Sequence, residues 1–182
     1  MSSLKVNQIK TKLRSMFEVH LDLADISAHD LERESKVLSR CLAAFAIYLR
    51  AGCSEKDAAA AVWDGSDDNG IDGAYFDTGD SRVLFVQAKW ISKGAGEPEA
   101  KEIGTFIKGV RDAIEQDQTG FHARLQARLH DVLLRLGMPG TFVQLIVVST
   151  GESVLAKHGR AVIDSFLHEL NGNDPEPIAT AE

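Results

Sequence analysis

Three polar residues near the middle of the chain have the chemistry of a metal-dependent site for phosphodiester cleavage. Asp72 supplies a carboxylate, Gln87 an amide oxygen and Lys89 an ammonium group. Mg²⁺ takes oxygen ligands, and proteins usually hold it with one or two carboxylates together with water and phosphate oxygens. The bound ion activates water, and a nearby cation offsets charge developing on phosphorus. We therefore expect Asp72, Gln87 and the Ala88 carbonyl to bind Mg²⁺, for which Mn²⁺ can substitute, and Lys89 to be the catalytic cation.

The sequence predicts that a β-hairpin positions these groups. Residues 73–77 alternate between apolar and polar types, and residues 83–90 include an apolar run rich in Val and Phe. Between them, residues 78–81 have the Thr-Gly-Asp-Ser composition of a turn. Two antiparallel strands are expected.

The register of this hairpin determines whether the site forms. A four-residue loop sets Asp77 opposite Arg82 and, further along the ladder, Asp72 opposite Gln87. Directly opposed residues have Cβ atoms about 4.5 to 5.5 Å apart, so both side-chain oxygens could reach one cation. Lys89 lies on the same face as Gln87 because side chains alternate along a strand. A loop one residue shorter would separate the pair.

The segments Gly70-Ile71-Asp72 and Gln87-Ala88-Lys89 resemble motifs of the PD-(D/E)XK nuclease superfamily, in the Mrr-like branch with a Q-x-K motif. The nearer resemblance is to the N-terminal nuclease domain of abortive-infection phage-resistance (AIPR) proteins. It covers residues 30–170 in the order of elements, with its specific motifs within 64–90. It implies an α/β fold, a restriction-endonuclease-like sandwich with a small mixed sheet flanked by helices. The implied activity is Mg²⁺-dependent endonucleolytic hydrolysis of DNA in defence against foreign or phage DNA.

The superfamily also places a Glu on the helix before the hairpin. The candidates are Glu34, which we take as the auxiliary catalytic residue, and Glu32. The apolar part of the same predicted helix, residues 41–49, contains no acid. Without such a Glu, Asp72 would be the only charged ligand and metal affinity would be weak.

Two other interpretations remain open. The chain could be a catalytically inactive nuclease-like domain that serves as a nucleic-acid-binding or regulatory module, or an interaction domain with a chance motif. Asp64, Asp67 and Asp68 are most simply turn residues, and Lys89 could be a solvated edge residue. Gln87 is harder to explain structurally, since an amide in an apolar run needs a partner.

Composition and charge constrain partners. The chain has 182 residues with 44% apolar content, enough for one domain with a core. Its net charge of −7 argues against holding nucleic acid by bulk electrostatics. The resemblance implies DNA as the partner, and the charge indicates that tight binding would need a homodimer, an additional C-terminal domain or a partner subunit. Seven basic residues could form one positively charged surface: Lys89, Lys93, Arg124, Arg128, Arg135, Lys157 and Arg160.

No apolar run reaches membrane-spanning length and no signal-peptide core is present, so a cytoplasmic protein without membrane contact is expected. Cys41 and Cys53 are expected to be buried thiols.

Hydrophobic periodicity and capping residues predict six helices and a third strand. The expected helices span residues 4–19, about 30–50, 54–63, 98–116, 120–136 and 153–170. Residues 141–149 are expected to form a strand parallel to one hairpin strand, because a long helical crossover precedes it. We divide the chain into an N-terminal helix and linker (1–28), a nuclease domain (29–171) and a polar tail (172–182). The tail could link this domain to a further domain in a longer protein. Residues 175–182 are expected to lack regular structure.

Overall fold

The computed structural model describes residues 2–63, 65, 68–152 and 154–182. Their regular elements, besides a short 3₁₀ turn at Glu18–His20, are α1 Ser3–Phe17, α2 Arg33–Ala51, α3 Glu55–Ala60, β1 Gly73–Asp77, β2 Arg82–Lys89, α4 Ala100–Ile114, α5 Ala123–Leu136, β3 Phe142–Ser149, α6 Lys157–Asn171 and β4 Ala179–Ala181. The expectation of a mixed α/β chain is confirmed. Among the described residues, no helix combines the length and apolar character that crossing a bilayer requires.

The four strands form one mixed sheet in the order β1-β2-β3-β4. β1 and β2 are antiparallel, whereas β3 runs parallel to both β2 and β4. The predicted parallel pairing of the third strand with a hairpin strand is confirmed. β2 is therefore a central strand, hydrogen-bonded on both sides.

The predicted hairpin register is also confirmed. Asp77 pairs with Arg82, and the ladder continues to Gly73 opposite Val86. The loop consists of residues 78–81, and Ser81 adopts a φ of 50° at its end. The ladder ends at Gly73, and Asp72 lies in a bend just before β1, so the expected pairing of Asp72 with Gln87 is not part of the ladder.

The sheet separates two apolar layers. Leu84, Val86 and Ala88 of β2 pack with the buried residues of α1, α2 and α3. Val83 and Phe85 point the other way, into a layer built mainly from α4, α5 and α6. This division follows from the alternation of side chains along a strand. Gln87 and Lys89 consequently lie on the face covered by α4.

Local signals set several helix ends. Gly52 ends α2 with a φ of 62°, the left-handed conformation that glycine adopts without steric cost. The Ser54 side chain caps α3 by accepting a hydrogen bond from the Asp57 N–H at 3.1 Å. The starts of α4 and α6 lie two and four residues later than expected, at Ala100 and Lys157.

The prediction that residues 175–182 lack regular structure is wrong. Ala179–Ala181 forms β4 on the outer edge of β3. The Asn171 side chain fixes this strand, because it donates to the Ala179 carbonyl at 2.8 Å and accepts from the Ala179 N–H at 2.9 Å. Three residues carry too little periodicity to be recognised as a strand, and their pairing depends on a long-range contact.

Candidate functional site

A tight loop holds Asp72 at the entry to β1. The Asp68 carboxylate accepts hydrogen bonds from the backbone N–H groups of Gly65, at 3.2 Å, and Gly70, at 2.7 Å. Asn69 and Gly70 have φ values of 55° and 77°. Asp68 thus has the turn role that its sequence context predicts, whereas Asp64 and Asp67, expected to share that role, lie outside the described residues.

Helix α4 fixes the position of this loop. The Asn69 side chain donates to the Asp112 carboxylate at 2.7 Å. A Cβ atom added to Gly70 would lie 2.8 Å from the Phe106 nitrogen, and one added to Gly109 would lie 2.1 Å from the Asn69 carbonyl oxygen. Loop and helix can approach this closely only because both contact positions are glycine.

Asp72 is bonded to the residues on either side of Gln87. Its N–H donates to the Val86 carbonyl at 2.9 Å, and its carboxylate accepts from the Ala88 N–H at 2.6 Å. The N–H and C=O of one strand residue point toward the same neighbouring strand. The Ala88 carbonyl is therefore directed to the side of β2 where Asp72 lies, as its expected role requires.

Gln87 carries an oxygen that has no hydrogen-bond donor among the described residues. Its Oε1 atom is buried, although the side chain as a whole is only partly so. A buried acceptor left unsatisfied costs about 1–3 kcal/mol. The partner that the apolar sequence context requires is therefore not supplied by the described part of the chain.

Lys89 is anchored in the backbone of β2 and paired through its side chain. The Thr150 N–H donates to the Lys89 carbonyl at 3.3 Å, which joins the ends of β2 and β3. The Lys89 ammonium group, on a side chain 47% exposed, forms an ion pair with Glu102 in the first turn of α4. The second oxygen of Glu102 accepts from the Glu99 N–H at 3.0 Å, completing a capping box.

Glu102 was not identified as a site residue from the sequence. The spacing of Glu99 and Glu102 does indicate a capping box at a helix start. That pattern carries no information about which strand the helix start will approach. The contact with Lys89 emerges only when α4 packs across the sheet.

Glu34 occupies a different environment. It lies in the first turn of α2 and forms an ion pair with Lys10 of α1. The hydrogen bond from Lys10 lowers the pKa of Glu34 below its ordinary value. Helix α2 packs against the sheet face opposite to Gln87 and Lys89, so the structure does not bring Glu34 together with them. Glu32 immediately precedes α2, where it is exposed.

The oxygen atoms at the hairpin could serve as ligands for a hard cation that takes few ligands from the protein. They comprise the Asp72 carboxylate, the Gln87 amide oxygen and the Ala88 carbonyl. Such an ion would give the buried Gln87 oxygen the partner that it lacks among the described residues. Within the described residues, no three His, Cys, Asp or Glu side chains group together as a metal site. This arrangement is compatible with Mg²⁺, which commonly binds through one or two carboxylates and takes its other ligands from water and phosphate.

Comparison with known proteins yields no match to any family model, curated protein or solved structure.

Proposed function

We propose that this protein is a Mg²⁺-dependent deoxyribonuclease whose site is built by Asp72, Gln87, Ala88 and Lys89. The observation that carries this proposal is the buried oxygen of Gln87, which has no donor among the described residues and belongs to a residue flanked by the two to which Asp72 is bonded, Val86 and Ala88. A protein gains nothing in stability from that oxygen. A bound cation gives it a partner, which supports a functional reason for its presence.

Each residue has a role that follows from its position. Asp72 supplies the anchoring negative charge, while Gln87 and Ala88 supply neutral oxygens. When bound, Mg²⁺ lowers the pKa of a coordinated water and polarises a phosphoryl oxygen. Lys89 lies on the same face of β2 as Gln87, where its ammonium group can orient the attacking water or stabilise negative charge on the phosphate.

The surroundings offer further positive groups for a nucleic-acid backbone. Helices α4 and α6 follow β2 and β3, so both begin near the C-terminal ends of these parallel strands, a frequent place for ligands in α/β proteins. The connecting loops are joined by the Glu152 N–H, which donates to the Gly96 carbonyl at 2.7 Å. Lys93, Lys101 and Lys157 are exposed in these segments and form no ion pair within the described part of the chain.

The choice of DNA, and a role in defence against foreign DNA in the cytoplasm, rests on the resemblance of the Gly70-Ile71-Asp72 and Gln87-Ala88-Lys89 segments to PD-(D/E)XK nucleases. The restriction-endonuclease-like form of the fold belongs to the same proposal. The net charge of −7 favours a second copy, a further domain or a partner subunit as the source of additional DNA affinity.

The second candidate is an inactive nuclease-like module that binds nucleic acid or regulates a partner. The ion pair between Lys89 and Glu102 favours it, because an ammonium group engaged by a carboxylate is less available to phosphate. The neutral Gln87 favours it as well, since a neutral oxygen holds a cation more weakly than a carboxylate does.

Cleavage of supercoiled plasmid and of single-stranded DNA would test these candidates. The wild type should cut DNA only with Mg²⁺ or Mn²⁺, and Lys89→Ala should lower the rate at least about 100-fold, a loss typical of removing a transition-state charge partner. Lys36→Ala is the matched control, since Lys36 also pairs with an acid, Asp30, and its side chain is 45% exposed. Metal-dependent cleavage that persists in Lys89→Ala would refute the assignment. DNA binding without cleavage by the wild type would support the module.

A further inference from the structure

We propose that Glu102 is a second metal-binding carboxylate of this site and that Lys89 holds it until the cation binds. This inference rests on the proposed function. It assigns to α4 the acid that the sequence analysis placed on the helix before the hairpin. Glu102 would therefore have two alternative partners, the ammonium group in the metal-free protein and the cation in the loaded one.

The charge of the site gives the first reason. A divalent cation and Lys89 together would bring three positive charges to a site where Asp72 contributes one negative charge. Like charges in partly buried surroundings repel each other strongly. Glu102 already lies against Lys89, so it can offset this excess without a long-range rearrangement.

The path of α4 gives the second reason. The helix touches the Asp72-bearing loop where Gly70 meets Thr105 and Phe106. Glu102 lies three and four residues before these contacts, and residues at those spacings neighbour each other on one helix face, about one turn apart. On its other side Glu102 contacts Lys89. Glu102 thus contacts the strand that carries Gln87 and lies one helix turn from the residues that meet the Asp72-bearing loop.

The buried oxygen of Gln87 gives an independent reason for a ligand at this place. Gln87 lies two residues before Lys89 on the same face of β2, and Asp72 is bonded to residues on both sides of it. Its Oε1 has no donor among the described residues. The unsatisfied acceptor and the Lys89–Glu102 pair therefore occupy the same sheet face under the first part of α4.

The capping box makes a selective variant available. Glu102 accepts from the Glu99 N–H through one oxygen and binds Lys89 through the other. Gln is also accepted at this position of a capping box. Glu102→Gln therefore keeps the helix cap and removes the negative charge, which separates metal binding from folding of α4.

Titration of the full chain with Mn²⁺, without DNA, tests the inference. Mn²⁺ binding would be measured by calorimetry or from the electron spin resonance signal of free Mn²⁺. Glu102→Gln should weaken binding at least about tenfold, the lower bound for perturbed metal-site residues, and Asp72→Asn should do the same. Glu169→Gln is the matched control, because it also removes the carboxylate of an ion pair that joins α4 to another element, the Arg111–Glu169 pair with α6. Circular dichroism would establish that each variant is folded.

Competition between cation and ammonium group gives a second readout. Lys89→Gln should tighten Mn²⁺ binding, and this gain should shrink when Glu102→Gln is also present. A gain of equal size in both backgrounds would show only the removal of a repelling charge and would overturn the inference. Weakening by Asp72→Asn but not by Glu102→Gln would overturn it while leaving the proposed function intact. Absence of Mn²⁺ binding by the wild type would refute both this inference and the proposed metal-dependent function.

Discussion

Replacing Gln87 by Met should stabilise the metal-free protein and reduce its response to metal. Met is unbranched, as Gln is, so the apolar side chain can follow a similar path within β2. The substitution removes the buried Oε1 atom that lacks a donor among the described residues. Because removing an unsatisfied polar group relieves its desolvation penalty, the variant should be more stable.

The size of the effect follows from that penalty. An unsatisfied buried acceptor costs about 1–3 kcal/mol. For a chain of this size, 1 kcal/mol shifts the melting temperature by about 2–4 °C. We therefore expect Gln87→Met to raise the melting temperature in the presence of chelator by about 2–12 °C.

A second glutamine provides the matched control. Gln144 lies in the neighbouring strand β3 and is 6% exposed. Its oxygen accepts from Arg82 at 3.1 Å and its nitrogen donates to Glu182 at 3.4 Å. Gln144→Met would leave Arg82 without one of its acceptors and should lower the melting temperature. Equivalent substitutions in adjacent strands are thus expected to have opposite effects.

Adding metal should reduce the lead in melting temperature that Gln87→Met has over the wild type in chelator. A ligand that binds only the folded state stabilises it by about 2.7 kcal/mol when its concentration is 100 times the dissociation constant. Gln87→Met loses one ligand and should gain less. Scanning calorimetry with chelator and with millimolar Mn²⁺ would measure both effects. A lower melting temperature for Gln87→Met in chelator would refute the reasoning, since it would mean that the oxygen already has a stabilising partner.

Two further predictions concern the loop that carries Asp72 and the apolar core on the opposite face of the sheet. Gly70→Ala should lower the free energy of unfolding by more than about 1–2 kcal/mol, because the φ of Gly70 is 77° and the new Cβ would lie 2.8 Å from the Phe106 nitrogen. Urea titration would measure the loss. Unchanged stability would contradict the close approach of loop and helix. Burial raises the pKa of Cys41 from 9.0 to about 12, so the folded protein should retain a proton that the unfolded chain releases. The contribution of Cys41 to stability should be lost as pH rises from 9.0 towards 12. At pH 8 a thiol reagent should modify Cys53 in the folded protein and Cys41 only after denaturation, and rapid native labelling in Cys53→Ser would contradict this.

Local patterns were sufficient to predict the hairpin. The turn residues 78–81 and the alternation in 73–77 fix the pairing of Asp77 with Arg82, since contacts of a hairpin are close in sequence. The parallel placement of residues 142–149 could also be inferred, because parallel strands need a long crossover connection and a helical one precedes this strand. These features depend on short-range geometry or on general topological rules.

The acidic partner of the site could not be predicted in the same way. Glu34 and Glu102 are both in the first turn of a helix next to the sheet. Which of them lies near Lys89 depends on the sheet face that each helix covers, and that is decided by packing of whole apolar layers. Neither a capping box nor a hydrophobic period contains this information.

A comparison of two glutamines in neighbouring strands supports the proposed cation site. Buried amides in strands normally have their polar atoms satisfied, as Gln144 does through Arg82 and Glu182. Gln87 lies one strand away with an oxygen that has no donor among the described residues, between the two residues to which Asp72 is bonded and on the same face as Lys89. Because an apolar side chain would be more stable there in the metal-free protein, stability alone does not explain Gln87. The proposed cation would explain it, and the comparison of Gln87→Met with Gln144→Met, with and without Mn²⁺, tests that proposal directly.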